Sequence, residues 1–384
     1  MASESFPARG RPTIPARNLK LEPPVTPKPQ FHPLRVREIR RETPDAVSLL
    51  FDVPAALRPD FSFQAGQYLT LKADINGEDI RRNYSICSAP LDDELRVAVK
   101  TLQGGRFSTY ANQVLRAGDT LEVLPAAGRF TAAFAPHRAA AYAAFAAGSG
   151  ITPILSIIKT ALATEPQSRF TLFYGNRHSG QILFLETLAA LKNRYMERFE
   201  VYHFLSAEED DIELFNGRLD APKCRDVLAH LVDAAAISQF FICGPEAMMA
   251  AAEAALLDSG VPPGAILLER FSATPIDPAY AARALASARA AAGRRIGVVL
   301  DGRKSTIIFD AALGNILDSA RAAGMAAPFA CKGGVCATCR AKIISGAVDM
   351  NVNYGLTPDE VQAGYILTCQ ASPRGDDVVI SYDV

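Results

Sequence analysis

Four of the seven cysteines in this 384-residue chain lie near its C-terminus, and their spacing is the strongest constraint on its fold. Within Cys331–Cys339 the pattern is C-x4-C-x2-C, and Cys369 follows after 29 further residues. Two glycines between the first two cysteines allow a tight loop whose backbone N–H groups point inward. The chain must therefore fold so that the segment around Cys369 returns to this loop.

The cysteines at positions 331, 336, 339 and 369 are predicted to ligate one [2Fe–2S] cluster. Two irons need four thiolates, and this is the plant-type spacing for such a cluster. A structural zinc site is the alternative, although zinc modules favour paired C-x2-C knuckles and only one pair here has that form. No secretory apolar segment precedes the cysteines, which disfavours a disulfide framework and predicts a reducing, cytoplasmic compartment.

Composition is that of an ordinary globular protein with two or three domains. Apolar residues make up 49% and charged residues 21%, and the formal net charge is −1 at pH 7. A near-neutral chain gives no electrostatic indication of a nucleic-acid partner or an anionic membrane surface. No apolar run reaches about 18 residues, the length that predicts a membrane span. Neither kind of partner is therefore expected.

Residue patterns predict three segments before residue 273. Residues 1–33 are proline-rich and are predicted to be a disordered tail, for which a transit peptide is the weaker alternative. Residues 34–136 contain short, evenly spaced strand-like runs, which are typical of an antiparallel β-barrel or a sandwich. Residues 137–272 alternate strands with helices, which predicts a Rossmann-like α/β domain with a parallel sheet.

Two further segments follow. Residues 273–294 are Ala-rich and are predicted to be a linker with some helical tendency. Residues 295–384 contain the cysteine pattern and form a third domain. This domain is predicted to open with a hairpin that turns at Asp301-Gly302, and a helix is predicted over Asn315–Ala323. The chain is thus expected to be a multidomain protein.

A strand-like run in the β-rich segment is a possible site for a ligand that has a phosphate and a ring. Residues two apart in a strand share a face, so Arg82 and Tyr84 can address one ligand, through a phosphate and a ring respectively. Ser85 points to the other side, although its hydroxyl and backbone can still meet a ring edge. Taken alone, an exposed arginine beside a core tyrosine is the commoner explanation.

A Gly-rich turn in the same segment is a possible anion site. Gly104-Gly105-Arg106-Phe107-Ser108 precedes a helical stretch predicted over Thr109–Leu115. Such turns bind anions through backbone N–H groups that have no partner in the helix. Gly105 and Ser108 are the predicted contacts, and a plain hairpin turn is the alternative.

The apolar strand near residue 140 leads into a possible dinucleotide-binding turn, Gly148-Ser149-Gly150-Ile151-Thr152-Pro153. Thr152 is predicted to cap the following helix and Pro153 to be its first residue. The partial positive charge of a helix N-terminus suits a pyrophosphate. Because the third glycine position is Pro153, this is a weak match to the standard fingerprint.

A second turn, Cys243-Gly244-Pro245, ends another strand. Ligands of open α/β sheets bind outside the carboxyl ends of strands, so Cys243 is predicted to lie at the nicotinamide. A small buried hydrophobe is the alternative for Cys243 and the prediction for Cys87 and Cys224.

Arg177 ends the strand that contains Tyr174 and bears on the choice of coenzyme. A guanidinium at this place can pair with a 2′-phosphate, which favours NADPH over NADH. The acidic run at residues 206–211 argues against a second phosphate contact, and a solvated loop is its other interpretation.

Together these motifs resemble the ferredoxin–NADP⁺ reductase superfamily with a plant-type ferredoxin fused behind it, over about residues 34–384. The resemblance implies an antiparallel FAD barrel, a Rossmann-like nicotinamide domain and a β-grasp ferredoxin domain. The FAD residues it implies are Arg82, Tyr84, Ser85, Gly105, Ser108 and Phe271. The nicotinamide dinucleotide residues it implies are Gly148, Gly150, Thr152, Cys243, Gly244 and Pro245. Tyr84, Ser85 and Cys243 would be the catalytic residues.

Stretches around the cysteines, at 328–336, 346–350, 353–354 and 367–370, are similar to the reductase subunits of phenylacetyl-CoA epoxidase complexes. The resemblance implies electron flow from NADPH, or alternatively NADH, through FAD and the cluster to the di-iron oxygenase subunits. The main alternative is the reductase of another multicomponent oxygenase, such as a steroid or aromatic-ring hydroxylase. A redox-sensing protein and an electron-transfer component of a biosynthetic dehydrogenase are further alternatives.

Overall fold

A computed structural model of the chain describes residues 30–271 and 278–383. They form two compact units, one that ends at Phe271 and one that contains the residues from Pro278 onward. Most of the predicted tail (residues 1–29), the start of the predicted linker (272–277) and Val384 lie outside the described residues. Among the described helices, none has both the length and the apolarity needed to cross a membrane.

The first unit begins with an antiparallel sheet whose apolar face is covered by one helix. Its elements are β1 His32–Thr43, β2 Ala46–Asp52, β3 Tyr68–Ile75, β4 Glu78–Ser85, β5 Leu95–Lys100, α1 Arg106–Gln113 and β6 Thr120–Val123. The strand order is β4-β3-β6-β1-β2-β5. An isolated bridge between Ile86 and Val97 links the two ends of this order, so the sheet closes into the expected barrel.

Two boundaries in this region differ from the sequence prediction. β1 begins at His32, inside the predicted tail, because Leu34 and Val36 alternate with exposed residues and fill the barrel core. α1 begins at Arg106 and not at Thr109, because the amide of Thr109 already donates a 3.0 Å hydrogen bond to the carbonyl oxygen of Gly105.

A parallel sheet with helices forms the rest of the first unit. Its elements are β7 Ala141–Ala147, α2 Ile151–Thr164, β8 Arg169–Asn176, α3 Leu185–Arg194, β9 Phe199–Leu205, α4 Ala221–His230, β10 Gln239–Cys243, α5 Glu246–Asp258 and β11 Ile266–Glu269. The strand order is β11-β10-β7-β8-β9. From β7 the chain adds strands first on one side, through β8 and β9, and then on the other side, through β10 and β11. Alternate residues of β7 enter two different apolar cores, so each sheet face is covered. The order predicts a binding crevice at the carboxyl ends of β7 and β10.

The barrel and the parallel sheet share one apolar core around α2. Residues 151–158 of this helix are all buried, and the core contains barrel residues such as Ala46, Ala98 and Phe130. At Gly66, whose φ is +92°, an added Cβ would lie 1.9 Å from the Phe130 carbonyl oxygen and 3.1 Å from Cδ1 of Ile157. The two predicted domains of this unit therefore pack as one body.

The second unit is built on a mixed sheet. Its elements are α6 Pro278–Ala290, β12 Arg295–Leu300, β13 Arg303–Ile308, α7 Ile316–Ala322, β14 Arg340–Ser345, β15 Val348–Met350, α8 Pro358–Gln362, β16 Tyr365–Leu367, β17 Ala371–Pro373 and β18 Val378–Ser381. The strand order is β13-β12-β18-β14-β16, in which β12 and β18 are parallel, and β15 pairs separately with β17. α7 packs on this sheet, which is the β-grasp arrangement that the resemblance implied.

The second unit contains the predicted hairpin and part of the predicted linker. The β12–β13 hairpin turns at Asp301 (φ 54°) and Gly302 (φ 72°), as the dipeptide predicts, because this turn type needs positive φ at both positions. α6 occupies part of the predicted linker. Ala288 near its end and Ala291 after it are buried in the core of this unit.

Candidate active site

The carboxyl ends of β7 and β10 meet in the crevice, where backbone approaches backbone. Ala146 of β7 pairs with Cys243 of β10. A Cβ added to Gly150 would lie 2.0 Å from the Cys243 carbonyl oxygen, and one added to Gly244 would lie 2.4 Å from Cε of Met248. The contact at Gly150 is with backbone, so glycine is required there, whereas the flexible Met248 side chain can move away from a Cβ at Gly244. The structure brings Gly148, Gly150, Cys243, Gly244 and Pro245 together as predicted from the sequence.

The prediction that Thr152 caps α2 is wrong. A 3₁₀ turn at Gly148–Gly150 starts the winding earlier, so the helix begins at Ile151 with Gly150 as its cap. The Thr152 hydroxyl instead donates a 2.9 Å hydrogen bond to the carbonyl oxygen of Ser149 and braces the turn. Pro153 is tolerated at the third helical position because the amides of a first turn have no intrahelical acceptor. The other first-turn amides and the helix dipole still favour an anion here.

Cys243 lies beside an acidic residue that was not among the residues predicted from the sequence. The thiol is fully buried, and Cys243 pairs across the sheet with Glu269. Burial, and then the Glu269 charge, raise the pKa of the Cys243 thiol well above its ordinary range. Burial likewise raises the pKa of Glu269 to about 8. Burial therefore favours the protonated, neutral form of both groups.

The available signal in the sequence was the short apolar run, Ile266–Leu268, that Glu269 follows. Glu269 ends β11, a strand parallel to β10, so its position at the same sheet edge as Cys243 follows from the topology. Phe271 was the residue predicted from this segment, and its side chain is 44% exposed. Between them, the Arg270 guanidinium lies 3.2 Å from a Glu246 carboxylate oxygen, which fixes the segment to α5.

β4 presents Arg82 and Tyr84 on one face, as predicted. The Tyr84 ring is half-buried with its centroid 5.4 Å from that of Phe107, and burial raises the pKa of its phenol. Arg82 is exposed, and its guanidinium donates a 2.7 Å hydrogen bond to the Arg81 carbonyl oxygen. Ser85 points to the opposite side and is buried. Three residues further, Ser88 accepts a hydrogen bond from Ser156 of α2, so this strand leads to the shared core.

The Gly-rich turn is internally braced. The Ser108 hydroxyl accepts a 3.1 Å hydrogen bond from the Leu102 amide and donates one of 3.0 Å to the Gly105 carbonyl oxygen. Its contribution is thus to the shape of the turn, while the first amides of α1 have no intrahelical acceptor. Because Phe107 contacts Tyr84, the turn and the β4 face lie on one surface that can hold an anion beside a flat ring.

Arg177 follows β8 directly and is exposed. Its carbonyl oxygen accepts a 2.9 Å hydrogen bond from the Ala207 amide, which extends the pairing of β8 with β9 by one residue. The guanidinium therefore lies at the carboxyl edge of the sheet, one strand away from the Gly148–Gly150 turn.

The cysteine loop of the second unit directs backbone amides at sulfur. Cys331 Sγ accepts hydrogen bonds from the amides of Gly333 (3.2 Å) and Cys336 (3.4 Å). Cys336 Sγ in turn accepts a 3.4 Å hydrogen bond from the Cys331 amide. Positive φ at Lys332, Gly334 and Ala337 gives the loop this inward shape. Sulfurs that accept hydrogen bonds from backbone amides meet the needs of cluster thiolates.

Two buried polar residues that were not predicted from the sequence support this loop. The Thr368 hydroxyl donates a 2.9 Å hydrogen bond to the Cys339 carbonyl oxygen and accepts one of 2.9 Å from the hydroxyl of Tyr382. On the other side of the loop, Gln370 donates a 3.0 Å hydrogen bond to the Lys332 carbonyl oxygen. Thr368 directly precedes Cys369, a ligand predicted from the sequence, which was the available signal, whereas nothing in the sequence connects Thr368 with Tyr382.

Comparisons with known proteins agree with this division. Three family profiles match: Oxidoreductase FAD-binding domain at residues 33–131, Oxidoreductase NAD-binding domain at 145–254, and 2Fe-2S iron-sulfur cluster binding domain at 298–374. The solved structure of phthalate dioxygenase reductase, described as modular for electron transfer from pyridine nucleotides to [2Fe-2S], covers 91% of this chain and 98% of its own, with a TM-score of 0.57. At 23% identity, this likeness concerns the fold.

Two sequence relatives are closer. One component of the 1,2-phenylacetyl-CoA epoxidase of Escherichia coli (strain K12) is 46% identical over 92% of this chain and 98% of its own length. The ferredoxin reductase component of 3-ketosteroid-9-alpha-monooxygenase from Rhodococcus rhodochrous is 34% identical over 91% of this chain and 96% of its own. The chain therefore belongs to the ferredoxin–NADP⁺ reductase superfamily, in its branch of NAD(P)H oxidoreductases that bind FAD and carry a C-terminal [2Fe–2S] ferredoxin domain.

Proposed function

We propose that this chain passes electrons from NADPH, through FAD and its own [2Fe–2S] cluster, to the di-iron oxygenase subunits of a phenylacetyl-CoA epoxidase complex. The observation that carries the proposal is the 46% identity to the Escherichia coli epoxidase component over nearly the whole of both chains. When bound, FAD accepts two electrons as hydride and releases them one at a time, which is the form a cluster can take.

In this proposal the barrel holds FAD. Arg82 pairs with a phosphate, Tyr84 packs against the flavin ring, and Ser85 lies near its reacting edge. Gly105 and the turn that Ser108 braces present first-turn amides to the pyrophosphate. Phe271, exposed at the end of the unit, covers the flavin. The contact of Tyr84 with Phe107 supports a single site that includes both elements.

The crevice between β7 and β10 holds the nicotinamide dinucleotide in the proposal. Gly148, Gly150 and the braced Thr152 turn present α2 to the pyrophosphate. Cys243, Gly244 and Pro245 position the nicotinamide, with Cys243 acting as a neutral thiol because its pKa is raised by burial. Arg177 pairs with the 2′-phosphate of NADPH, since it lies at the edge where the adenosine ribose of a dinucleotide is recognised.

Cys331, Cys336, Cys339 and Cys369 ligate the cluster in the proposal. We infer an FAD part over 34–136, an NAD(P) part over 137–272, a linker over 273–294 and a ferredoxin part over 295–384, preceded by a disordered tail. The family matches at 33–131, 145–254 and 298–374 support these spans. A cytoplasmic location suits the seven free cysteines and the nicotinamide donor.

Anaerobic stopped-flow reduction by NADPH and by NADH tests the chemistry. Rapid bleaching of the flavin followed by cluster reduction is expected, and the larger second-order rate constant identifies the donor. If both NADPH and NADH leave the flavin and the cluster oxidised, the reductase function is disproved.

The acceptor is tested by reconstitution. Adding the purified oxygenase subunits of a phenylacetyl-CoA epoxidase and phenylacetyl-CoA is expected to couple NADPH oxidation to epoxide formation. The second candidate is a steroid hydroxylase, which the 34% identity to the Rhodococcus rhodochrous component favours. Faster coupled turnover with the steroid oxygenase than with the epoxidase would establish that candidate instead.

A further inference from the structure

The turn after β8 is occupied by a carboxylate from the end of β9. One Glu208 carboxylate oxygen accepts hydrogen bonds from the Ser179 amide (2.9 Å) and the Ser179 hydroxyl (3.1 Å). The same oxygen lies 3.6 Å from Nδ1 of His178. Glu208 is the first of four successive acidic residues, and its side chain is 36% exposed. An anion is therefore already bound by the donors of this turn.

The position of the turn gives this contact a functional meaning. In the β7–α2–β8 unit the dinucleotide pyrophosphate lies at the start of α2, and the residues after β8 meet the adenosine ribose. Arg177, His178 and Ser179 follow β8 directly, so their donors face the place where NADPH carries a phosphate and NADH a hydroxyl. Acceptor oxygens at this place suit a hydroxyl, whereas cationic donors suit a phosphate.

We propose that Glu208 is a coenzyme-specificity residue that opposes the 2′-phosphate. Its carboxylate holds the Ser179 donors that a phosphate would use and places a negative charge beside that phosphate. Two like charges placed side by side repel each other and weaken binding of the phosphate, while a 2′-hydroxyl carries no charge and meets no such repulsion. Arg177 and Glu208 thus act in opposite directions, and their balance sets the ratio of NADPH to NADH use. This inference rests on the proposed nicotinamide site.

The test replaces the charge and keeps the shape. Glu208→Gln retains an oxygen for the Ser179 amide, and Glu209→Gln, at the adjacent exposed residue, is the matched control. Calorimetric titration of the holoprotein with 2′,5′-ADP and with 5′-AMP reports the 2′-phosphate alone. We expect Glu208→Gln to tighten 2′,5′-ADP binding about fivefold or more, as removal of one partly solvated charge does, with 5′-AMP binding unchanged. Steady-state kcat/KM for NADPH relative to NADH should rise by the same factor, through KM.

Each outcome decides the matter. Unchanged 2′,5′-ADP binding in Glu208→Gln, or an equal gain in Glu209→Gln, would overturn the inference. Binding of 2′,5′-ADP by Glu208→Gln but not by the parent protein would support it, and failure of both to bind would refute it. Arg177→Ala separates the two proposals. If it does not weaken 2′,5′-ADP binding, the role proposed for Arg177 fails, while the comparison of Glu208→Gln with Glu209→Gln still judges Glu208.

Discussion

Ser156 and Ser88 join the helix behind the nicotinamide turn to the strand end of the flavin barrel. The Ser156 hydroxyl donates a 2.6 Å hydrogen bond to the Ser88 carbonyl oxygen, and both residues are buried. One turn along α2, Lys159 forms an ion pair with Asp92, whose carboxylate also accepts a hydrogen bond from the Ala89 amide. These contacts fix α2 on the barrel at the point where the two binding surfaces converge.

Ser156→Ala is expected to loosen this junction. The buried Ser88 carbonyl would lose its donor, which costs about 1–2 kcal/mol. The temperature at which the holoprotein releases fluorescent flavin should fall by about 2–6 °C. Ser259→Ala is the control, because the exposed Ser259 donates its 2.8 Å hydrogen bond to the Ala255 carbonyl oxygen, one turn earlier in its own helix. Equal melting temperatures for the two variants would show that the hydrogen bond from Ser156 to Ser88 contributes nothing to stability.

Gly150→Ala is expected to separate the two turns of the crevice. Its Cβ would lie 2.0 Å from the Cys243 carbonyl oxygen, so the backbone must shift. A displacement of about 1 Å at a reacting centre costs about 10²-fold in kcat/KM for the nicotinamide donor. Gly264→Ala, where a Cβ meets no atom within 4 Å, is the control and should keep its activity. FAD content measured by absorbance should be unchanged in both, and a Gly150→Ala enzyme with normal kcat/KM would contradict the close contact.

The raised pKa of Glu269 predicts that the free energy of unfolding depends on pH. Burial raises its pKa from 4.5 to about 8, so the folded chain binds this proton more tightly than the unfolded chain. This contribution to stability is therefore largest below pH 4.5, the pKa of the unfolded chain, and is lost as the pH rises through about 8, where the half-buried carboxylate ionises. Allowing for partial solvent access, the loss is about 1–2 kcal/mol.

Glu269→Gln should remove this dependence. Its melting temperature relative to the parent protein, followed by flavin release, is expected to rise between pH 5 and pH 9. A constant difference across this range would show that the Glu269 carboxyl does not titrate as its burial implies.

Tyr382→Phe should weaken the hold on the cysteine loop. The change removes the hydroxyl that donates to Thr368, which in turn contacts the Cys339 carbonyl. Loss of about 1 kcal/mol corresponds to about fivefold faster release of iron to a chelator, followed as bleaching of visible absorbance. Tyr365→Phe is the control, because the Tyr365 ring contacts Arg340 and Lys342 by its face and phenylalanine preserves this. Equal bleaching rates in the two variants would exclude a role for the Tyr382 hydroxyl.

Local chemistry made part of this fold predictable from the sequence. The Asp301-Gly302 turn requires positive φ at two successive residues, and few dipeptides tolerate this. The cysteine spacing specified its own loop, and alternation of apolar residues marked the strands. That the Gly148 and Cys243 turns lie side by side followed from the rule that the carboxyl ends of parallel strands meet at one edge of the sheet.

Other features depended on contacts between distant residues. The shared core around α2 includes Ala46 and Ala98, and small apolar side chains do not reveal which surface will cover them. Thr152 has a favourable capping side chain, but the preceding glycines allow a 3₁₀ turn that moves the helix start. The partner of Thr368 is Tyr382, beyond the last strand, and pattern alone does not pair two polar residues in this way.

The close fit at Gly66 has an evolutionary consequence. A side chain at Gly66 would also lie 3.1 Å from Cδ1 of Ile157, and α2 shares one core with barrel residues such as Ala46 and Ala98. A change of side-chain volume in the barrel or in α2 must therefore be matched by a change in the other. Barrel and helix should accordingly co-vary among relatives. A chimera that joins the flavin part of one relative to the nicotinamide part of another should function only when the residues that meet α2 are transplanted with it.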